Sequence, residues 1–319
     1  MEKITIYFFL IIILTSCWKE EIPIDKRSLS NAEPIQVSLG SDYGNQVWFN
    51  LPSRTVVKIN EKSIWDFAFK VVGGEVFVRL NTANAATALR TNVIELDDIT
   101  ANPGGSVFKA DHPNGMRDSL SIGKISFPSN VIIINRGFST NGQALGNWKI
   151  RFLSKSENVI SFVMARMSGT DLRSVDFELN NTDKWNCYSI DSDSFVEWEP
   201  NVDWHLCFTQ YSHVFYEPYQ PYLVTGVLIN SDLVQVAEVS NRSFEEVDLL
   251  YASGLEYLKD ADIIGYDWKF YNFDIQLFTV EEKLFVINTI SGDYFKLRFL
   301  DFYDDQGQRG APKFDLVEL

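Results

Sequence analysis

Apolar and polar residues alternate one by one along the short blocks of this chain, most clearly near its C-terminus. In 294–300, Tyr294, Lys296, Arg298 and Leu300 fall on one face and Phe295, Leu297 and Phe299 on the other. That is the period-2 pattern of a half-buried strand. The Ser291-Gly292-Asp293 turn ahead of it makes 284–300 a hairpin. A load of 24 Phe, 13 Tyr and 8 Trp also favours strands over helices. One helix is expected, over 244–252, because Ser243 and Glu246 form a capping box, Val247, Leu250 and Tyr251 share a face, and Gly254 stops it. The expected class is all-β and antiparallel, with few short helices.

The blocks recur in order. Val47-Trp48-Phe49, Thr55 to Ile59 and Ile64 to Phe69 find counterparts in Trp185 to Tyr188, Ser194-Phe195-Val196 and Val202 to Phe208. Val131 to Asn135, followed by Trp148 to Leu153, matches Leu284 to Asn288 followed by Phe295 to Leu300. Self-similarity of this kind is the mark of a repeated unit. It predicts two similar β domains in tandem, 36–182 and 183–319.

The N-terminus carries a different message. Lys3, an apolar run from Ile4 to Leu14 and the ending Leu14-Thr15-Ser16-Cys17 form an export signal, 1–17, too short to span a bilayer. Its ending looks like a lipobox, which makes Cys17 the expected lipidation site and lipid the expected outer-membrane anchor. Lys19-Glu20-Glu21 resembles a tag that sends such lipoproteins to the cell exterior. Residues 18–35, with Pro23 and Pro34, read as a flexible tether. The 43 acidic residues outnumber the 28 basic ones, leaving a formal charge of -15 and the wrong sign for nucleic acid. Three Cys and three His are too few for a rich metal site, whose identity stays unknown. No G-x-S-x-G, H-E-x-x-H, P-loop or dinucleotide fingerprint is present, so no enzyme is expected and no catalytic residue is assigned.

The strand Tyr294 to Tyr303, a charged turn with Gly307 and Gly310, and a last strand after Pro312 resemble the closing hairpin of HmuY-type haem-binding lipoproteins. Trp65-Asp66-Phe67-Ala68-Phe69, Val78-Arg79-Leu80-Asn81-Thr82 and Gly265 to Tyr271 resemble further segments of that family, which shares the lipobox. The resemblance implies a β-rich, non-catalytic, haemophore-like surface protein. It would bind haem or a similar tetrapyrrole for iron acquisition and supply a TonB-dependent outer-membrane receptor. The alternative is a cell-surface interaction or adhesion module that keeps the fold without haem. The family's axial residues lie between the early strand and the closing hairpin. Here only His112 and Met116 of the first half lie there, while His205 and His213 lie in and just after the early strand of the second. No axial ligand is carried over by motif.

His112 and Met116, on one turn-rich loop, and His213, flanked by aromatics, are the haem-ligand candidates. Each imidazole also reads as an ordinary histidine, exposed on a loop for His112 and partly buried on a strand for His213. Trp198, Tyr216, Tyr219, Tyr222 and Tyr271 fall outside the strand alternation and are candidates to wall a flat ligand. The Glu217 to Tyr222 stretch reads as a rigid aromatic loop. Cys187 and Cys207, expected in neighbouring strands, form either a disulfide or two small core residues.

Overall fold

The computed structural model describes residues 34–180 and 184–319. The signal, Cys17 and nearly all of the tether lie outside the described residues. The first strands are β1 (Ile35–Gln36), β2 (Asn45–Asn50) and β3 (Thr55–Glu61). Ten follow: β4 (Phe67–Val72), β5 (Glu75–Leu80), β6 (Thr87–Arg90), β7 (Gly123–Ile125), β8 (Ile132–Asn135), β9 (Asn147–Ser156), β10 (Val159–Arg166), β11 (Arg173–Glu178), β12 (Asn186–Ser189) and β13 (Ser194–Val196). The last are β14 (Leu206–Tyr216), β15 (Tyr219–Ile229), β16 (Val234–Val239), β17 (Lys269–Asn272), β18 (Leu277–Val280), β19 (Leu284–Thr289), β20 (Tyr294–Tyr303) and β21 (Arg309–Glu318). One short helix, α1 (Leu249–Ser253), stands between β16 and β17. Among the described residues no helix is long and apolar enough to cross a membrane.

The strands make two lobes. In the first, the sheet β11-β10-β9-β8-β6 faces the sheet β13-β12-β4-β5-β7 across a core that includes Phe67, Phe69, Trp148, Phe152, Phe162 and Tyr188. In the second, β1-β21-β20-β19-β16 faces β15-β14-β2-β3 across Phe49, Phe208, Trp268, Phe285, Phe299 and Phe314. Each is a sandwich whose inward aromatics come from both sheets. The pairs in these ladders are antiparallel.

The two lobes share one strand order. The series β6-β8-β9-β10-β11 corresponds to β16-β19-β20-β21-β1, and β5-β4-β12-β13 to β15-β14-β2-β3. The expected boundary at residue 182 therefore does not separate two bodies, and residues 32–319 form one compact unit. β12 leaves its own half to pair with β4, and β2 leaves its own to pair with β14. Each half lends the other its opening hairpin. Local alternation specifies a strand and its buried face, but the partner strand is a long-range choice that local pattern does not encode.

Two further expectations shift. Ser243 and Glu246 do bond, through Ser243 N and Oγ to Glu246 Oε2, yet they close a turn. The helix starts later, capped by Asp248 Oδ1 accepting from Tyr251 N, and Leu250 points to solvent at 81% exposure. Gly254 ends it as expected. The last strand begins at Arg309, ahead of Pro312, whose carbonyl accepts from Val37 N just past the edge strand β1.

Candidate functional site

The chain crosses between lobes twice, at 62–66 and at 197–205, and both crossings are rich in tryptophan. Trp65, Trp198 and Trp204 on the crossings meet Trp48 of β2 and Trp185 ahead of β12 around a cavity of about 360 Å³. Five of the eight tryptophans thus wall one cleft. Ring centroids lie 4.8 Å apart for Trp48 and Trp198, 4.5 Å for Trp48 and Trp204, and 5.0 Å for Trp65 and Trp198. Arg79 of β5 enters among them, its guanidinium 4.4 Å from the Trp198 ring, 4.6 Å from Trp185 and 5.3 Å from Trp65. These are cation–π distances.

Another part of the cleft is bounded by the His112 loop. Buried Asp111 anchors it: Oδ2 accepts from Leu80 N at 2.7 Å, and Oδ1 accepts from Ser121 N at 2.8 Å and Ser121 Oγ at 2.6 Å. Burial pushes the Asp111 carboxyl up, and these bonds pull against that. His112 follows and lines the cavity with Tyr211. Its Nδ1 accepts from Asn114 N at 3.1 Å, so the ring proton sits on Nε2.

The β14–β15 hairpin leans on this loop. The His112 and Tyr216 rings stack with centroids 6.1 Å apart, and Tyr219 Oη accepts from Ala110 N at 2.9 Å. The expected loop at 217–222 is this hairpin's tip, with Tyr219 already in β15. His213 lies opposite Tyr222, 4.9 Å from the Phe215 ring and 5.1 Å from Tyr266. Among the described residues its ring makes no hydrogen bond, so a nitrogen lone pair is free. The segment carrying Asp262 and Tyr266 crosses here because Gly226 allows it: a Cβ there would meet Gly265 O at 2.2 Å. Burial raises the Asp262 carboxyl, and the nearby His112 and His213 oppose that.

The structure thus gathers His112, His213, Tyr216, Tyr219 and Tyr222 at one end of the hairpin. By strand alternation His213 and Tyr216 lie on opposite faces, and His112 lines the cleft while His213 does not. Met116 sits on the His112 loop at 48% exposure, in a separate groove beside Phe77 and Lys259. Trp198 belongs to the indole cleft. Tyr271 stands apart on the β17–β18 hairpin, against Phe273 and Phe278. His205 is buried, with Nδ1 accepting from Leu51 N at 3.2 Å.

Cys187 and Cys207 are both free and buried, which decides against the disulfide. They are not sheet neighbours: β12 pairs with β4 and β13, whereas β14 pairs with β2 and β15. Burial also pushes both thiols up. Arg79, Asp262 and Tyr266 were not foreseen as site residues. Arg79 and Tyr266 lie inside segments already notable for family likeness, but nothing local marks Asp262.

Residues 181–316 match the family model described as HmuY protein. None of the curated proteins matches the chain. Among solved structures, the "Apo HmuY analog (TFO)" of Tannerella forsythia is 10% identical, with 90% of this chain and 94% of that chain covered at a TM-score of 0.24. "Apo PinO from Porphyromonas gingivitis" is 9% identical, with 89% and 96% covered at a TM-score of 0.26. With TM-scores this low, neither superposition bears on fold or function. The matched segment runs from just before β12 into β21, within the second half of this chain.

Proposed function

We propose that this is a non-catalytic, lipid-anchored surface protein that binds haem or a similar tetrapyrrole and supplies it to a TonB-dependent outer-membrane receptor. The family match over 181–316 carries the reading, because the β14–β15 hairpin with His213 lies inside it. The chemistry of the hairpin fits such a cargo. His213 offers an imidazole with a free lone pair, and Phe215, Tyr222 and Tyr266 stand around it as flat walls. His112 has its Nδ1 lone pair engaged by Asn114 N, so iron binding there requires that bond to break. In this reading His213 would therefore be the residue that holds the iron, with His112 nearby on the neighbouring loop. The shared strand order of the lobes supports a duplicated unit, whose first copy supplies the His112 loop.

Haemin added to the purified protein near pH 8, where histidine is neutral, gives a saturable Soret shift if the reading holds. A flat titration overturns it.

A second reading rests on another observation. The β17–β18 hairpin exposes Phe270, Tyr271, Phe273, Ile275 and Leu277 together, Phe273 at 83%. Such a patch marks an interaction surface. Capture of an outer-membrane partner equally well with and without haemin, unaffected by His213→Ala, favours an adhesion or interaction module.

A further inference from the structure

We propose that the indole-lined cleft between the lobes is a second binding site, for a small carboxylate carried on a flat apolar body. The inference does not depend on tetrapyrrole binding at the hairpin.

Three observations converge on that chemistry. The first is the wall: five indoles line a cavity of about 360 Å³, a volume in the range of small-molecule pockets. Indole faces take a flat apolar group by stacking and by area removed from water.

The second is a set of donors without acceptors. Trp48 Nε1 donates to Asn60 Oδ1 and Trp198 Nε1 to Gln46 Oε1, both at 2.6 Å. Trp65 Nε1, Arg79 Nε and Arg79 Nη2 are buried with no oxygen acceptor at hydrogen-bond distance, although the guanidinium also acts on the Cys187 thiol, a weak acceptor. Buried polar groups are satisfied as a rule, and an orphan is costly, the more so if charged. Tyr211 Oη, which lines the same cavity, is unpaired as well; a hydroxyl can donate too, so an acceptor completes every one of these orphans. A carboxylate brings only acceptors, in the spacing a guanidinium fork matches.

The third is charge. The acid within ion-pair distance of Arg79 is Glu199, whose Oε1 stands 3.6 Å from Nη2, too far for a hydrogen bond. Asp111 acts on Arg79 from further off, with both its oxygens already accepting from Leu80 and Ser121. Burial also pushes the Glu199 carboxyl up, which weakens it as a counter-ion. A cationic ligand is disfavoured because the aromatic faces already hold the guanidinium. Glu199 is then an internal competitor for the same donors.

The test is isothermal titration of the full chain with phenylacetate and with its neutral amide, phenylacetamide. Phenylacetate is expected to bind saturably, and the amide at least about tenfold more weakly. Arg79→Gln is expected to abolish that difference, and Glu199→Gln to tighten phenylacetate several-fold. Should Arg79→Gln fail to fold, Glu199→Gln decides, because a merely structural Glu199 gives no tightening. No saturable heat with phenylacetate, equal affinity for acid and amide, or unchanged or weaker binding in Glu199→Gln overturns the proposal.

Discussion

Lys149 and Lys296 hold the same place in the two lobes, and each buries its ammonium to bond two backbone carbonyls of a covering segment. Lys149 Nζ donates to Leu96 O and Ile99 O, both at 2.8 Å. Lys296 Nζ donates to Phe244 O at 2.6 Å and Val247 O at 2.8 Å. Both follow the first inward aromatic of the central strand, Trp148 in β9 and Phe295 in β20. The face of β20 that alternation assigns to solvent is thus partly covered. Replacing either lysine with Met strands two carbonyls, and each variant should lose about 1–3 kcal/mol in denaturant unfolding. Hydrogen exchange should rise locally, around 96–99 for Lys149→Met and 244–247 for Lys296→Met. Wild-type exchange in both variants would show that the lysines do not tether these segments.

The exchanged hairpins predict how the chain fails when cut. Residues 36–182 alone lack β12 and β13, and residues 183–319 alone lack β2 and β3, so each fragment leaves β4 or β14 without one of its two partners. Neither fragment should melt cooperatively by itself, and co-expression should restore one cooperative unit. Two independent melts from separate fragments would contradict the exchange.

The blocks legible by alternation are the ones that became strands: β2, β3, β4, β8, β9, β19 and β20 all lie where Trp48, Ile59, Phe67, Ile133, Phe152, Val286 and Leu297 mark them. Period and burial are local properties, so they are written locally. The hairpin exchange is not, because Trp48 pairing with Cys207 and Ala68 with Cys187 join residues more than a hundred positions apart. The same distance hid the site. Tyr216 and Tyr219 were visible as aromatics outside a strand pattern, yet their contacts to His112 and Ala110 come only from the fold. The disulfide failed for the same reason: Cys187 and Cys207 look adjacent only if β12 and β14 share a sheet.

Lys269 gives a pH signature. It is buried against Trp268 and Phe302, 4.3 and 4.7 Å from the ring centroids, with Nζ donating to Thr225 O. Burial pulls its pKa down from 10.5 to about 7, with Asp267 opposing. Between those values the unfolded chain holds the proton and the folded one does not. Lys269 therefore makes stability rise with pH from about 7 to about 10.5, with its penalty full below that window. Lys269→Met should remove this part of the slope, seen as wild-type minus variant unfolding free energy at about pH 7 and 9. An identical pH dependence in both proteins would contradict a neutral buried lysine.

The most direct test of the central claim is a haemin titration followed at the Soret band in wild type, His213→Ala and His112→Ala. His213 has a free lone pair, whereas that of His112 Nδ1 is engaged by Asn114 N. The expected result is one saturable transition in wild type, weakened more than about tenfold by His213→Ala and less than about threefold by His112→Ala. No saturable shift in wild type, or three superimposable curves, would contradict the account.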